Sequence, residues 1–243
     1  MSDTVLLAGV GERLGTGLAR AFTGTGQPDR TTDDRSLPGP DARVALLARS
    51  PSTVESLAEE IEADGGTATV VTADLTDRTA VADAVDAVRD RLGPVDVAVH
   101  NANATGGELD DESSFVQPIR TRIEGGGNLA ATLLPAMRER GAGTLLFAGT
   151  THAHDGSERL PGWGAAAFGT RGLARSLARR AGPDGVHVCY VAVGGTIPPA
   201  DARVGSATAM DPHEVGAAFR RLAAQPPTAW SHEVDLRPDG APP

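Results

Sequence analysis

The stretch TVLLAGVGERLGTGLARAF, residues 4–22, decides how this chain is read. It opens with a short apolar run of β-forming residues and passes through Gly9, Gly11, Gly15 and Gly17 in a glycine-rich turn. It then continues into a segment whose Leu14, Leu18 and Phe22 recur at helical spacing. A strand that feeds such a turn and then a helix brings the free N–H groups of the helix N-terminus to a place where a pyrophosphate can meet them. The glycines alone are a weak signal, and a glycine-rich turn without a ligand is the bland alternative. Their position between strand and helix gives them weight.

Outward from this stretch, short β-rich runs alternate with longer segments of helical period. Strands are expected at 4–9, 43–48, 68–73, 95–100, 143–149, 186–193 and 232–237. Helices fill the gaps: 52–63 places Val54, Leu57, Ala58 and Ile61 on one face, and 77–92 does the same with Val81, Val85, Val88 and Leu92. The alternation implies an α/β fold, a single doubly wound Rossmann domain over residues 1–243 with a parallel seven-stranded sheet flanked by helices. Two loops break the rhythm. Residues 24–42, rich in Pro, Gly and Asp, join a helix to a strand on the edge away from any ligand crevice, and read as a solvated insertion rather than a lid. Residues 194–210 follow a strand, open on the crevice edge, and are the candidate substrate lid.

The 243 residues carry a net charge of -10, which argues against nucleic acid and anionic membrane surfaces as partners. No stretch approaches the roughly 20 apolar residues that span a bilayer, and an acidic residue stands near the start where a signal peptide wants basic ones, so a cytoplasmic location is expected. The one cysteine, Cys189, lies in the apolar run VHVCYVAV and reads as a small buried hydrophobe. The 22 basic side chains are all arginine, so lysine-dependent chemistry is excluded. Abundant Asp and Thr with Arg in place of Lys is a halophilic composition, though GC-rich coding gives the same bias.

A dinucleotide also needs a partner for its adenosine ribose. The second strand ends in LLARSPST, with Arg49 where a carboxylate for a free 2′-hydroxyl would stand. A guanidinium there, helped by Ser50, suits the 2′-phosphate of NADP, with NAD as the other option and an Arg pointing into solvent as the bland reading. In ADLTD after the third strand, Asp74 is placed to accept from an adenine amino group, or serves only as a turn residue, while Leu75 is placed to pack on the ring.

These features, with VHNANA after strand four, LLPAMRERGAGTLLFAG through strand five and GLARSLARRAGPDGVHV into strand six, make the chain resemble the short-chain dehydrogenase/reductase family from about residue 4 to residue 238. QPPTAWSHEVDLRP (225–238) is similar to a divergent branch of it. Where the family has NNAG, this chain has His100, Asn101, Ala102 and Asn103. The resemblance adds Asn101, Ala102 and Thr196 to the cofactor contacts Gly9, Gly11, Leu14, Gly15, Arg49, Ser50, Asp74 and Leu75. It also implies a homodimer or homotetramer built on the long helices around 113–140 and 161–181, acting on a small-molecule substrate.

The family's catalytic Asn, Ser, Tyr and Lys map by register onto Arg122, Thr150, Trp163 and Ala167. None is the expected type. Trp163 carries an N–H that does not titrate near neutrality, and Ala167 offers no polar group. Tyr190, the sole tyrosine, sits in an apolar strand and reads as core. Replacements are sought at the strand ends: the hydroxyl of Thr150, the imidazoles of His152, His154 and His100, and the fixed charge of Arg122 for an oxyanion or a substrate carboxylate. Each has a bland reading as a loop, strand-end or surface residue. The HxHD spacing of His152, His154 and Asp155 is too unspecific for a metal site, and none is expected. Two functions stay open: an atypical NADP-dependent oxidoreductase acting on a carbonyl or imine, and a nucleotide-binding regulatory or scaffolding protein that no longer reacts.

Overall fold

The computed structural model describes residues 3–25, 42–202, 205 and 208–239. Seven strands, β1 (Thr4–Ala8), β2 (Arg43–Ala48), β3 (Thr67–Thr72), β4 (Val97–His100), β5 (Gly143–Thr150), β6 (Val186–Val193) and β7 (Glu233–Leu236), form one sheet. Its order is β3-β2-β1-β4-β5-β6-β7 and every pairing is parallel. The helices are α1 (Leu14–Thr23), α2 (Glu55–Ala63), α3 (Arg78–Leu92), α4 (Glu112–Ile119), α5 (Gly125–Arg140), the single turn α6 (His152–Asp155), α7 (Pro161–Ala181) and α8 (Pro212–Ala223). The expected doubly wound domain is the observed one. No helix among the described residues is long and apolar enough to cross a membrane.

Both faces of the sheet are covered, which is why the strands read as almost continuous apolar runs. Val5 and Leu7 pack with Leu18, Phe22, Ile61 and Phe219 on one side, and the alternate residues Leu6 and Ala8 pack with Val81, Val88, Leu129 and Met137 on the other. The helical faces chosen from periodicity are buried: Val54, Leu57, Ala58 and Ile61 of the first, Val81, Val85, Val88 and Leu92 of the second. Their starts move inward for local reasons. A single 3-10 turn at Pro51–Thr53 precedes α2, and Asp77 stands outside α3 because its carboxylate accepts from the N–H groups of Thr79 and Ala80.

Strand order reverses its direction of growth between β1 and β4, and a ligand crevice is expected outside the carboxyl ends of the strands there. Two departures from a regular fold shape it. First, α4 and α5 form one unbroken run through a wide π turn, Arg120–Glu124, just after Pro118, which lacks the N–H its helix would use. Second, the described part of 194–210 is tied down: Thr196 bridges Ala209, Arg13 Nη1 donates to the Ile197 carbonyl at 2.5 Å, and the Ala200 N–H donates to the Glu12 carbonyl at 2.9 Å. The insertion expected at 24–42 lies almost wholly outside the described residues.

Tyr190 is fully buried, as its apolar setting implies. Its phenol donates to the Thr150 carbonyl and accepts from the Thr150 N–H, both at 3.0 Å, and burial raises its pKa. Gly149 makes this possible, because a Cβ there would lie 2.1 Å from the ring. The hydroxyl therefore closes the end of β5 and is not available as an acid. Tyr190→Phe is expected to lose about 1–3 kcal/mol in urea denaturation, the cost of leaving those backbone groups without a partner, with nucleotide affinity unchanged. Cys189 is buried beside it, and burial, then the nearby Glu233 charge, pushes its thiol up to about 12.

Candidate functional site

A crevice of about 890 Å³ opens at the carboxyl ends of β1, β2, β4 and β5. The candidate site residues line it except His100, His152, His154 and Thr196. Its floor is the glycine loop. Gly9 has φ +92°, and a Cβ on it would lie 2.3 Å from the backbone of Ala102. The loops after β1 and β4 touch at this point and are stitched together: the Asn101 N–H donates to the Ala8 carbonyl and Asn101 Nδ2 to the Gly9 carbonyl, each at 2.8 Å. Gly11, Leu14 and Gly15 face the crevice. Gly17 instead meets α8, where its Cβ would lie 2.2 Å from the Pro212 carbonyl.

The N-terminus of α1 faces the crevice without a side-chain cap. The helices α3, α4 and α8 begin at Asp77, Asp111 and Asp211, each of which accepts from N–H groups of the first turn. The helix α1 has no side-chain cap and no acidic residue in its first turn. Its free N–H groups and positive dipole end face the crevice.

At one end of the crevice Arg49 and Ser50 lie exposed after β2. The guanidinium of Arg49 makes no ion pair among the described residues, while Ser50 Oγ lies 2.9 Å from Ser52 Oγ. Asp74 faces the same space, but its carboxylate already accepts from the Thr76 N–H at 2.9 Å and the Thr76 hydroxyl at 2.8 Å, so the turn role is real. Those bonds, with the charge of Arg49 further off, lower its pKa. Leu75 is held from behind, its carbonyl accepting from Asn128 Nδ2 at 2.9 Å.

At the other end stand Trp163, Thr150 and Arg122. Arg122 comes from the π turn and is only 3% exposed. Its Nη1 donates to Asn103 Oδ1 at 3.1 Å, its Nη2 to the Ala148 carbonyl at 3.3 Å, and its guanidinium carbon lies 5.2 Å from the centre of the Trp163 ring. Burial lowers its pKa and Tyr190 opposes that. The bland reading of Arg122 as a helix-surface residue is not met.

Three positions stand apart from their expected places. Ala167, the register position of the family's lysine, is fully buried in the core and does not reach the crevice, because a methyl is too short to span the distance from that face of α7. His152 is exposed and its Nδ1 lies 2.8 Å from the Gly156 carbonyl, which closes α6 on itself. Thr196 is exposed, with its N–H and carbonyl used in the bridge that binds the Thr208–Met210 segment. His154 approaches Asp235 at 4.0 Å, on the β7 side. His100 lies beneath the site, fully buried, and burial with the charge of Arg122 drives its pKa to about 4, so it is neutral.

Sequence reasoning missed Asn103, Arg13, Gln117, Arg120 and Thr121, all of which line the crevice. Asn103 was in view as the residue replacing the family's glycine, and that was its signal. No motif singled out Gln117, Arg120 and Thr121, which lie where α4 runs into the π turn. With these, the lining holds Arg13, Arg49, Arg120 and Arg122 against only Glu12 and Asp74, so an acidic chain concentrates positive charge at this crevice.

A family model described as short chain dehydrogenase matches residues 35–208. The sepiapterin reductase of Chlorobaculum tepidum is 25% identical over 244 residues, covering 98% of this chain and 97% of that protein. Among solved structures, a metagenomic short-chain oxidoreductase in complex with NADP superposes with a TM-score of 0.80 at 24% identity, over 98% of this chain and 97% of that one. An alcohol dehydrogenase from Thermococcus sibiricus complexed with 5-hydroxy-NADP gives 0.80 at 22% identity, over 99% and 98%. At these identities the superpositions establish the shared fold.

Proposed function

The chain belongs to the short-chain dehydrogenase family, and on that premise we propose that it is an atypical NADP-dependent oxidoreductase acting on a small carbonyl or imine compound. The observation that carries this reading is a crevice lined by the glycine loop, Arg49, Ser50 and Leu75 toward one end and by Trp163, Thr150 and Arg122 toward the other, at register positions of the family's catalytic set. The uncapped N-terminus of α1 with Gly11 and Gly15 would hold the pyrophosphate, and Arg49 with Ser50 the 2′-phosphate. Leu75 would pack on the adenine, and Asn101, bonded to the Gly9 carbonyl, would keep the two loops at the spacing a nucleotide needs. Relatives in structure carry NADP or its derivative, which accords with Arg49 in place of a carboxylate.

When bound, NADPH supplies the hydride, and the protein's part is to orient the substrate and stabilise charge. Thr150, which lines the crevice from the end of β5, would hydrogen-bond the substrate oxygen through its hydroxyl and pass it a proton drawn from solvent. Among the described residues, no His, Cys or Tyr lines the crevice. The pH profile of kcat/KM is therefore expected to show no inflection between about pH 6 and 9, where a histidine or lysine-assisted tyrosine would give one. An inflection there would place a titrating acid in the reaction.

The same absence favours a second reading, a nucleotide-binding regulatory or scaffolding protein without turnover. Purified protein assayed in high salt with a panel of aldehydes, ketones, oxo acids and imines separates the two. NADPH consumption that Thr150→Val removes supports the oxidoreductase. No consumption with any of them, while NADPH still binds, supports the silent binder. The family setting also suggests a homodimer or homotetramer, and Val116 of α4 and Phe168 of α7 leave apolar surface exposed on the helices concerned; light scattering on the purified protein tests it.

A further inference from the structure

We infer that Arg122 is the recognition group for a substrate carboxylate, so that the compound handled in this crevice is a small oxo acid rather than a neutral aldehyde or ketone. The inference deepens the oxidoreductase reading and, as a statement about substrate, rests on it. Arg122 is the one arginine that is buried among the described residues, and no carboxylate lies within ion-pair distance of it there. Less buried arginines are paired: Arg20 with Glu60 and Asp201, Arg171 with Glu233, Arg138 with Asp184. A guanidinium carries five N–H donors. Two of those of Arg122 go to neutral acceptors, Asn103 Oδ1 and the Ala148 carbonyl, and Nε has no partner.

A buried cation without a counter-charge is unfavourable, and a pair of neutral acceptors compensates it only in part. The guanidinium lies over the Trp163 ring, a favourable interaction, and its burial strengthens the attraction for any anion that enters. The nucleotide's own anionic groups would have other partners, at the N-terminus of α1 and at Arg49. The anion at Arg122 therefore belongs to the second ligand. The planar fork matches a carboxylate edge on, and Trp163, Asn103 and Thr150 line the same crevice. Thr150, on the same wall, would then face the substrate's carbonyl.

The test uses the whole protein and two compounds of nearly equal shape, oxamate and its neutral amide oxamide, titrated by calorimetry with and without NADPH. Oxamate is expected to bind at least about tenfold more tightly than oxamide, as a charge-assisted pair requires. Arg122→Gln should remove that preference and Arg122→Lys should keep part of it, with NADPH affinity within about threefold of the parent. Equal binding of oxamate and oxamide to the unmodified protein would overturn the inference without any variant having to fold. An equal effect of sodium chloride at matched ionic strength would overturn it as well. Oxamate binding without NADPH binding would uphold the anion site and remove the oxidoreductase reading. NADPH binding without a preference for oxamate would do the reverse.

Discussion

Gly9→Ala is expected to abolish NADPH binding in titrations at up to millimolar nucleotide and to unfold at much lower urea than the parent. The two effects have one origin. Gly9 sits at φ +92°, and a methyl on it would fall 2.3 Å from the Cα and N of Ala102. A side chain in that backbone region costs about 1–3 kcal/mol and forced overpacking about as much again, for a total of about 2–6 kcal/mol. Relief requires the β1 and β4 loops to separate. Separation breaks the Asn101 bond to the Gly9 carbonyl and moves the glycine loop that would cradle the pyrophosphate. Gly11→Ala is the control, since a Cβ there meets no protein atom within 4 Å. It should keep the fold while weakening the nucleotide. A Gly9→Ala protein that binds NADPH normally would show that the loops are not locked at this spacing.

Arg49→Asp should reverse the choice of nucleotide. The Arg49 guanidinium lies exposed at the end of β2 with no ion pair among the described residues, so it is free to take a 2′-phosphate as a charge-assisted pair. Such bonds are worth about 1.5–3 kcal/mol, or roughly 10–150-fold in affinity. A carboxylate in its place repels the phosphate and instead accepts from a free 2′-hydroxyl. NADPH affinity is expected to fall by at least about tenfold and NADH affinity to hold or rise, as followed by fluorescence titration. Parallel losses for both nucleotides would assign Arg49 to the fold instead of to the 2′ position.

The sheet was legible because its strands are covered on both faces. Val5 and Leu7 pack to one side, Leu6 and Ala8 to the other, and a run with no solvated face is apolar throughout. Helix faces were legible by period, and their starts less so, since Asp77 and the turn at Pro51–Thr53 act through hydrogen bonds that periodicity does not see. At the site, counting along α7 and α5 was enough to bring Trp163 and Arg122 to the crevice. It failed for Ala167, because register fixes where a side chain starts and its length decides whether it arrives. His152 and His154 looked useful by chemistry and position in the chain, but the single turn α6 directs them to Gly156 and Asp235. The π turn that buries Arg122 and the ties from Arg13 and Glu12 to the 194–210 segment are tertiary features with no local code.

Trp163 offers the most direct measurement of the central claim, that NADP(H) lies in this crevice with its nicotinamide end against the rebuilt wall. The other indole, Trp230, stacks on His187 at 5.1 Å well away in sequence and outside the crevice lining, and Trp230→Phe keeps an aromatic ring there while leaving Trp163 as the sole indole. Titrating that variant with NADPH should quench Trp163 emission to saturation and raise nicotinamide emission by energy transfer, with NADH needing a higher concentration. Trp163 emission that stays constant as NADPH is added would contradict the account.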